Sequence, residues 1–199
     1  MKGANPLLIV ISGPSGVGKD TVLAKMKQSR RLLHYVVTAT TRPQRPGEKN
    51  GVDYHFVSRE QFKRMIDTGQ LLEWANVYDN LYGVPKRQVQ QALAQGLDVM
   101  VKVDVQGAAT IKNILPQAMF IFLTPPSLDE LERRLKERKT ESSEELKLRM
   151  ETTRGEMDSL PLFDYVVVNH QDRLDSTIAQ IDAIISAEKC RVKPRIIEL

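Results

Sequence analysis

The stretch Leu7-Leu8-Ile9-Val10-Ile11-Ser12-Gly13-Pro14-Ser15-Gly16-Val17-Gly18-Lys19 decides the fold of this 199-residue chain. Its first five residues form an uninterrupted apolar run, which is typical of a strand buried on both faces of a parallel sheet. A glycine-rich turn follows, and from Thr21 to Lys27 the apolar residues recur at helical spacing. This order of strand, turn and helix predicts a site where backbone N–H groups point toward an anion.

The turn itself has the glycine and lysine spacing of a phosphate-binding loop, or P-loop. Glycines allow successive N–H groups to turn inward, and Lys19 adds a mobile positive charge. An ordinary glycine-rich turn before a helix is the alternative, but the flanking strand and helix favour nucleotide-phosphate binding. We expect these residues to bind the phosphates of a nucleotide, which the resemblance described below implies is ATP: Gly13, Pro14, Ser15, Gly16, Val17, Gly18, Lys19, Asp20 and Thr21.

One residue departs from the usual P-loop pattern. The position after the lysine is usually Ser or Thr, whose hydroxyl binds Mg²⁺, whereas here it is Asp20, followed by Thr21. A carboxylate this close to polyphosphate repels it unless it binds Mg²⁺, its waters or another cation. We expect Thr21 to contribute the Mg²⁺ ligand, and the role of Asp20 stays open.

The rest of the chain alternates buried strands with amphipathic helices. This alternation predicts an α/β protein with a parallel sheet and right-handed connections. The expected strands are Leu7–Ile11, Val99–Val103, Met119–Leu123 and Tyr165–Val168, and the expected helices include Leu128–Glu137, Glu144–Met157 and Arg173–Ala187. The segment from about residue 38 to 97 is rich in proline and glycine and reads as an inserted subdomain.

Composition excludes several classes of protein. The single cysteine, Cys190, excludes an internal disulfide, and with only three histidines it argues against a zinc site and for a reducing cytoplasm. The net charge of +4 is too small to indicate a nucleic-acid partner and also suits anionic small molecules. The apolar run 7–11 is too short for a membrane span or a signal sequence. Whether the chain is a monomer or a homo-oligomer stays open.

Five short motifs carry a resemblance to a known family. They are T-T-R-x-x-R-x-G-E at 40–48, N-G-x-D-Y-x-F at 50–56, E-W-A at 73–75, Y-G at 82–83 and D-x-Q-G at 104–107. Together, and in this order, they resemble the guanylate kinases from about Leu7 to Ala187. The resemblance implies an ATP:GMP phosphotransferase that makes GDP and ADP with Mg²⁺.

The resemblance also implies an architecture and its boundaries. A single domain over 1–199 is expected, with the fold of the P-loop nucleoside monophosphate kinases. Its parallel-sheet core would take in about 5–37, 98–127 and 158–190, with a GMP-binding insertion at about 38–97 and a helical lid at about 128–157.

In the family two arginines and two tyrosines hold the GMP phosphate, and here these correspond to Arg42, Arg45, Tyr54 and Tyr82. Guanidinium forks match phosphate oxygens, and phenol hydroxyls add neutral donors. The alternative is a pair of solvated arginines with two core tyrosines.

Glu73 matches the glutamate with which the family reads guanine. A carboxylate accepts from both N1–H and the 2-amino group of guanine, whereas adenine leaves it unpaired. Thr38 aligns with a serine that also reads the base, and Asp104 either contacts the guanine amino group or orients Mg²⁺ waters. Val84 stands where the family often has a hydroxyl, so no polar role is expected there. The alternative for Glu73 is a surface carboxylate.

Lys102 replaces a second acid that the family usually has two residues before Asp104. It therefore has three possible partners: Asp104, Asp20 or a phosphate.

The basic run from Arg133 to Lys139, together with Arg149, resembles the family's lid, whose arginines close over ATP. We expect Lys19, Arg42, Arg138 and Arg149 to stabilise the transferred charge, and Asn169 to lie near adenine. The alternative for the basic run is a solvent-exposed, salt-bridged helix.

Three rival functions stay open at this point. A non-catalytic interaction module of the same family is disfavoured because Lys19 and the lid arginines are present. A kinase for another small phosphorylated substrate is disfavoured by Glu73 and Thr38. A nucleic-acid-binding protein is disfavoured by the modest charge.

Overall fold

The structure, a computed structural model, describes residues 5–28, 32–77, 79–137 and 143–199, with only the backbone described at 137 and 143–149. Its strands fall into two sheets. The strands are β1 Leu8–Ser12, β2 Leu33–Tyr35, β3 Ala39–Thr40, β4 His55–Phe56, β5 Leu71–Val77, β6 Asn80–Pro85, β7 Asp98–Lys102, β8 Met119–Thr124 and β9 Tyr165–Val168. The helices are α1 Lys19–Met26, α2 Arg59–Asp67, α3 Lys86–Ala94, α4 Val105–Ile114, α5 Leu128–Glu137, α6 Ser143–Met157 and α7 Leu174–Lys189, with short 3₁₀ turns at Leu160–Leu162 and Gln171–Arg173.

The larger sheet has the strand order β2-β7-β1-β8-β9, and every pairing in it is parallel. The predicted parallel sheet is therefore confirmed, and its four expected strands are all present, each within one residue of the predicted ends. The edge strand β2 was not predicted, because its three residues, Leu-His-Tyr, are half-buried and too few to show a hydrophobic pattern.

β1 lies at the centre of this sheet and is fully buried, as an apolar strand covered on both faces must be. Its alternate side chains enter two separate apolar clusters. Leu8 and Val10 pack with the residues of α3 and α4, whereas Ile9 and Ile11 pack with those of α1 and α7.

The smaller sheet, of order β4-β3-β6-β5, is formed within residues 38–97. β5, at one edge, and β6 form an antiparallel hairpin, which turns at Asp79 with a positive φ of 60°. α2 follows β4 and begins with a capping box between Ser58 and Gln61. This part of the chain thus contributes a second, mixed sheet beside the parallel one.

Parallel pairing brings the carboxyl ends of neighbouring strands to one edge. Ile11 of β1 is in register with Lys102 of β7 and with Ile121 of β8. The P-loop follows β1, Asp104 follows β7, and the residues before α5 follow β8. The sheet register therefore places the candidate site residues of three chain segments together.

Residues beyond α7 are anchored to the core by Arg195. Its guanidinium donates to Glu188 Oε2 at 2.6 Å and to the Ala118 carbonyl at 2.8 Å, and it lies 3.3 Å from the Asp164 carboxylate. Glu188 is almost fully buried and also accepts from the Tyr165 hydroxyl. The tail therefore packs on its own chain and completes a buried polar network.

We predict that Arg195→Met lowers the free energy of unfolding by about 2–3 kcal/mol, because it removes the main cation from the buried Glu188 carboxylate. Urea unfolding at pH 7 measures this change. Arg191→Met is the matched control: Arg191 contacts the same carboxylate at 3.3 Å but is half-exposed, so its loss should cost no more than about 1 kcal/mol. Equal losses for the two variants would contradict the prediction.

Candidate active site

A cavity of about 230 Å³ opens between the two sheets, at the carboxyl edge of the parallel one. Four parts of the chain line it: the P-loop with the start of α1, the smaller sheet with the loop after β3, the end of β7 with the residues after it, and the last turn of α6. Its lining includes Lys19, Asp20, Thr21, Thr38, Arg42, Arg45, Tyr54, Glu73, Tyr82, Lys102, Asp104 and Glu156. The structure thus brings together the residues expected at the donor phosphates, the acceptor phosphate and the base.

The P-loop holds a carboxylate. The backbone N–H of Ser15 donates to Glu156 Oε2 at 3.2 Å, and Glu156 comes from the last turn of α6. Lys19 lies in the same loop and donates to the carbonyls of Gly13 and Pro14. Burial lowers the pKa of Lys19, although Glu156 opposes the shift, and burial raises the pKa of Glu156. The Glu156 carboxyl group thus accepts a hydrogen bond from a P-loop N–H group, the kind of donor with which such loops bind anions.

A second cavity, of about 290 Å³, lies on the other side of the loop, between it and the start of α7. Gly18 adopts a φ of +98°, and a Cβ atom there would come within 2.6 Å of the Asn169 side chain. Asn169 is buried and donates to the Val17 carbonyl at 2.8 Å, while Arg134 donates to the Asn169 carbonyl at 3.0 Å. These two side chains brace the P-loop and line the second cavity.

The loop after β3 holds the Arg42 side chain in position. Its guanidinium donates to Glu48 Oε1 at 2.7 Å, and the other oxygen of Glu48 accepts from the backbone N–H of Arg45. Burial would lower the pKa of Arg42, but its hydrogen bond with Glu48 raises the pKa above its ordinary value. Arg42 also lies 5.4 Å from the centre of the Tyr54 ring, and the rings of Tyr54 and Tyr82 meet edge to face at 6.1 Å. The four residues expected at the acceptor phosphate thus line one wall.

Glu73 is only 5% exposed, which rejects the surface-carboxylate alternative. Its Oε2 has no hydrogen-bond partner among the residues that the structure describes. Burial, with a smaller effect from the charge of Asp104, raises the pKa of Glu73 to about 8. A buried carboxyl group on the wall of a cavity, with one oxygen that lacks a partner, is suited to a ligand that brings its own hydrogen-bond donors.

The neighbours of Glu73 make room for it. Asp104 caps α4 by accepting from the backbone N–H of Gly107 at 2.7 Å. A Cβ atom at Gly107 would come within 2.7 Å of Glu73 Oε2, so a side chain there would push the Glu73 carboxyl group out of its present position. Thr38 is buried in the same cavity, and Val84 is fully buried among apolar side chains, as its lack of a polar group predicts.

Of the three partners considered for Lys102, the structure shows Asp20. The Lys102 ammonium donates to Asp20 Oδ1 and, at 2.7 Å, to the Tyr54 hydroxyl. Burial would lower the pKa of Lys102, but the charges of Asp20 and Tyr54 and the hydrogen bonds to both together raise it. The two residues that depart from the family pattern therefore form an ion pair with each other.

Some expected residues are placed differently from the rest. Arg138 lies outside the described residues, as does the side chain of Arg149. Thr21 is exposed on the first turn of α1 and lines both cavities.

Three site residues were not predicted: Glu48, Arg134 and Glu156. Glu48 ends the motif at 40–48, which marked it without giving it a role. Arg134 and Glu156 sit in charged helical stretches typical of solvent-exposed helices, so only packing identifies them.

Two further observations concern metal clusters and membrane-spanning helices. Over the described parts of the chain, no cluster of three or more histidine, cysteine or acidic side chains is arranged to hold a metal ion. In those same segments, no helix is both long enough and apolar enough to cross a membrane.

Comparison with known proteins agrees with this geometry. The family model for guanylate kinase matches residues 5–188. The chain belongs to the guanylate kinase family. The family, the fold class, the function and the enzyme class expected from the sequence are thereby confirmed.

Individual relatives cover nearly the whole chain. A guanylate kinase from Desulfitobacterium hafniense is 45% identical over 97% of this chain and 96% of its own. Guanylate kinase 2, chloroplastic/mitochondrial, from rice is 47% identical over 98% of this chain and 68% of its own. The crystal structure of guanylate kinase from Anaplasma phagocytophilum, 32% identical, superposes with a TM-score of 0.81 over 96% of this chain and 90% of its own.

We predict that Glu73→Gln stabilises the protein at pH 8 and not at pH 5. The folded pKa of about 8 lies above the ordinary value of 4.5, so the folded protein binds more protons than the unfolded chain between these values. Stability is therefore lost as pH rises through that window, and removing the carboxyl group should recover roughly 4 kcal/mol at pH 8. Urea unfolding at both pH values measures the difference.

Glu132→Gln serves as the control, since Glu132 is an exposed partner of Lys136 on α5. Its effect should be small and nearly the same at both pH values. A Glu73→Gln effect that does not change with pH would show that the carboxyl group is ionised in the folded protein.

Proposed function

We propose that the cavity between the two sheets binds GMP with its phosphate facing the P-loop, and that the γ-phosphate of ATP passes directly to it. The observation that carries this assignment is that one continuous cavity is lined by the P-loop, by Arg42 with two tyrosines, and by a buried carboxyl group with an unused oxygen. These groups match, in order, a donor phosphate, an acceptor phosphate and a base that offers hydrogen-bond donors.

On the donor side, the P-loop and Lys19 would hold the ATP phosphates. The Glu156 carboxylate that accepts from Ser15 lies where a phosphate oxygen would lie, so ATP binding would displace it and release Lys19 from its own loop carbonyls. The second cavity, lined by Thr21, Arg134 and Asn169, has the position expected for the nucleoside of ATP. Arg138 and Arg149 would close over the phosphates from the lid.

On the acceptor side, Arg42, Arg45, Tyr54 and Tyr82 would hold the GMP phosphate. Glu48 keeps Arg42 fixed before the substrate arrives, which lowers the ordering cost of binding. The reaction requires positioning and charge neutralisation more than proton transfer, because a phosphate oxygen of GMP is already a nucleophile.

Glu73 would read the base. Its ionised carboxylate accepts from guanine N1–H and the 2-amino group, while Thr38 adds a hydroxyl and Asp104 lies beside the same position. Adenine has an acceptor at N1 and no 2-amino group, so it offers no donor to the ionised carboxylate and at most one hydrogen bond to the protonated carboxyl group.

The residues at the P-loop fit Mg²⁺ as an ion that arrives with ATP. Mg²⁺ binds through few protein oxygens plus phosphates and waters, and Thr21, Asp20 and Asp104 provide hard oxygen atoms around the cavity beside Lys19. Thr21 is the proposed ligand. When bound, the ion would neutralise charge on the β- and γ-phosphates.

We also keep the expected cytoplasmic location as a proposal. The single cysteine, Cys190, is exposed and forms no disulfide, which suits a reducing compartment.

The function is tested by a coupled assay that measures ADP formation from ATP with GMP, AMP, UMP or dTMP. We expect GMP to be used with a kcat/KM at least about 10³-fold above that of AMP, because the unpaired Glu73 penalises adenine. Equal or better use of AMP would overturn the base assignment. Failure to bind ATP would favour the non-catalytic interaction module.

We predict that Glu73→Gln lowers kcat/KM for GMP by roughly 10²-fold or more, since an amide accepts only one of the two guanine donors.

Because Glu73 is largely protonated at pH 7 in the empty site, wild-type protein should also release close to one more proton per GMP bound than the variant does. Calorimetry in buffers of different ionisation enthalpy measures this number. Equal proton release by both proteins would exclude Glu73 as the guanine acceptor.

A further inference from the structure

Lys102 lies at the junction between the two phosphate sites. It is the last residue of β7, and its side chain is only 16% exposed. Its ammonium donates to the Tyr54 hydroxyl at 2.7 Å and pairs with Asp20 on the first turn of α1. Tyr54 belongs to the proposed acceptor site and Asp20 to the P-loop helix, so one buried cation bridges the two halves of the cavity.

Two other cations, Arg42 and Lys19, lie near Lys102. Arg42 and Lys102 lie 5.4 and 4.5 Å from the centre of the same Tyr54 ring, and the positive charge of Lys102 acts on Lys19. Three cations from three chain segments thus surround one small volume. In the empty site Glu48 and Asp20 pair with two of these cations, and a phosphate group entering the cavity would meet all three.

We propose that Lys102 binds the acceptor phosphate directly, as a third cation beside Arg42 and Arg45, and that Asp20 holds it in place until the substrate arrives. This inference rests on the proposed function. It also assigns a role to the two positions, 20 and 102, that depart from the family pattern.

The geometry explains how Lys102 could exchange partners. The side chain of Asp20 is 79% exposed, so water can solvate its carboxylate when Lys102 turns to another anion. A phosphate dianion is a stronger partner in the more buried half of the cavity. Replacing Asp20 by phosphate therefore costs little, and the freed carboxylate can remain in water.

Lys102 also determines the direction in which the Tyr54 hydroxyl group can donate its proton. Because the ammonium has only protons to offer, the Tyr54 oxygen must act as the acceptor in their hydrogen bond. The phenol proton is then directed away from Lys102 and is available to a phosphate oxygen. A neutral residue at position 102 would remove both the charge and this orientation.

The test compares Lys102→Met with Lys102→Arg and with Lys112→Met. Lys112 is a matched control, because it also pairs with a carboxylate, Asp164, and lies 4.4 Å from the centre of an aromatic ring, Phe120, but on α4 outside the cavity. The measurements are the Kd for GMP by calorimetry without ATP, the steady-state kcat and KM for both substrates, and the urea midpoint of each protein.

We expect Lys102→Met to raise the Kd for GMP about tenfold or more and to lower kcat/KM for GMP about 10²-fold, with the KM for ATP changed less than about threefold. Lys102→Arg should recover most of the GMP affinity, since it keeps the charge. Lys112→Met should leave the Kd for GMP unchanged. Asp20→Asn should not raise that Kd, because it frees Lys102 for the phosphate.

Two results would overturn the inference. An unchanged Kd for GMP in Lys102→Met would exclude a phosphate contact. A loss of GMP affinity in Asp20→Asn as large as in Lys102→Met would show that the pair only ties α1 to β7. Both results presuppose a wild-type protein that phosphorylates GMP; if the wild-type protein fails to do so, the proposed function itself is wrong.

Discussion

The positive potential at the carboxyl edge of the parallel sheet is the constraint on which the rest of this structure depends. Inward-facing N–H groups of the P-loop, the N-terminus of α1 and the buried Lys19 all concentrate positive charge at one place. In the nucleotide-free structure this charge has to be balanced from within the chain. Glu156 supplies one carboxylate to the loop, and Asp20 pairs with the nearby Lys102.

The same principle operates on the acceptor side. Glu48 fixes Arg42 and the backbone of the loop that carries it, so the phosphate-binding group is ordered before its ligand arrives. In the proposed mechanism Glu156 and Asp20 would give way to phosphate, whereas Glu48 would keep Arg42 in position, and each belongs to a different part of the chain. Substrate binding can therefore be described as an exchange of anions around cations that are already positioned.

The buried Glu73 carboxyl group lowers the stability of the empty protein. A carboxyl group buried at the wall of a cavity, with a pKa near 8 and an unused oxygen, destabilises the fold above pH 5. Gly107 is needed to leave room for it. A ligand that brings two hydrogen-bond donors repays this cost on binding, whereas one that brings an acceptor does not. Discrimination between purines and destabilisation of the empty protein therefore have a single physical origin.

The sequence by itself determined the elements with strong local patterns. The buried strands, α5, α6 and α7 follow from apolar periodicity, and the P-loop follows from glycine and lysine spacing, because these signals arise between residues close in the chain. The family resemblance named the residues of the base and phosphate sites. Only the tertiary structure decided which charges meet. The pairing of Lys102 with Asp20, the insertion of Glu156 into the P-loop and the packing of Arg134 against Asn169 join residues 35 to 141 positions apart, and the partner of a long charged side chain depends on sheet register and helix packing, which no local pattern encodes.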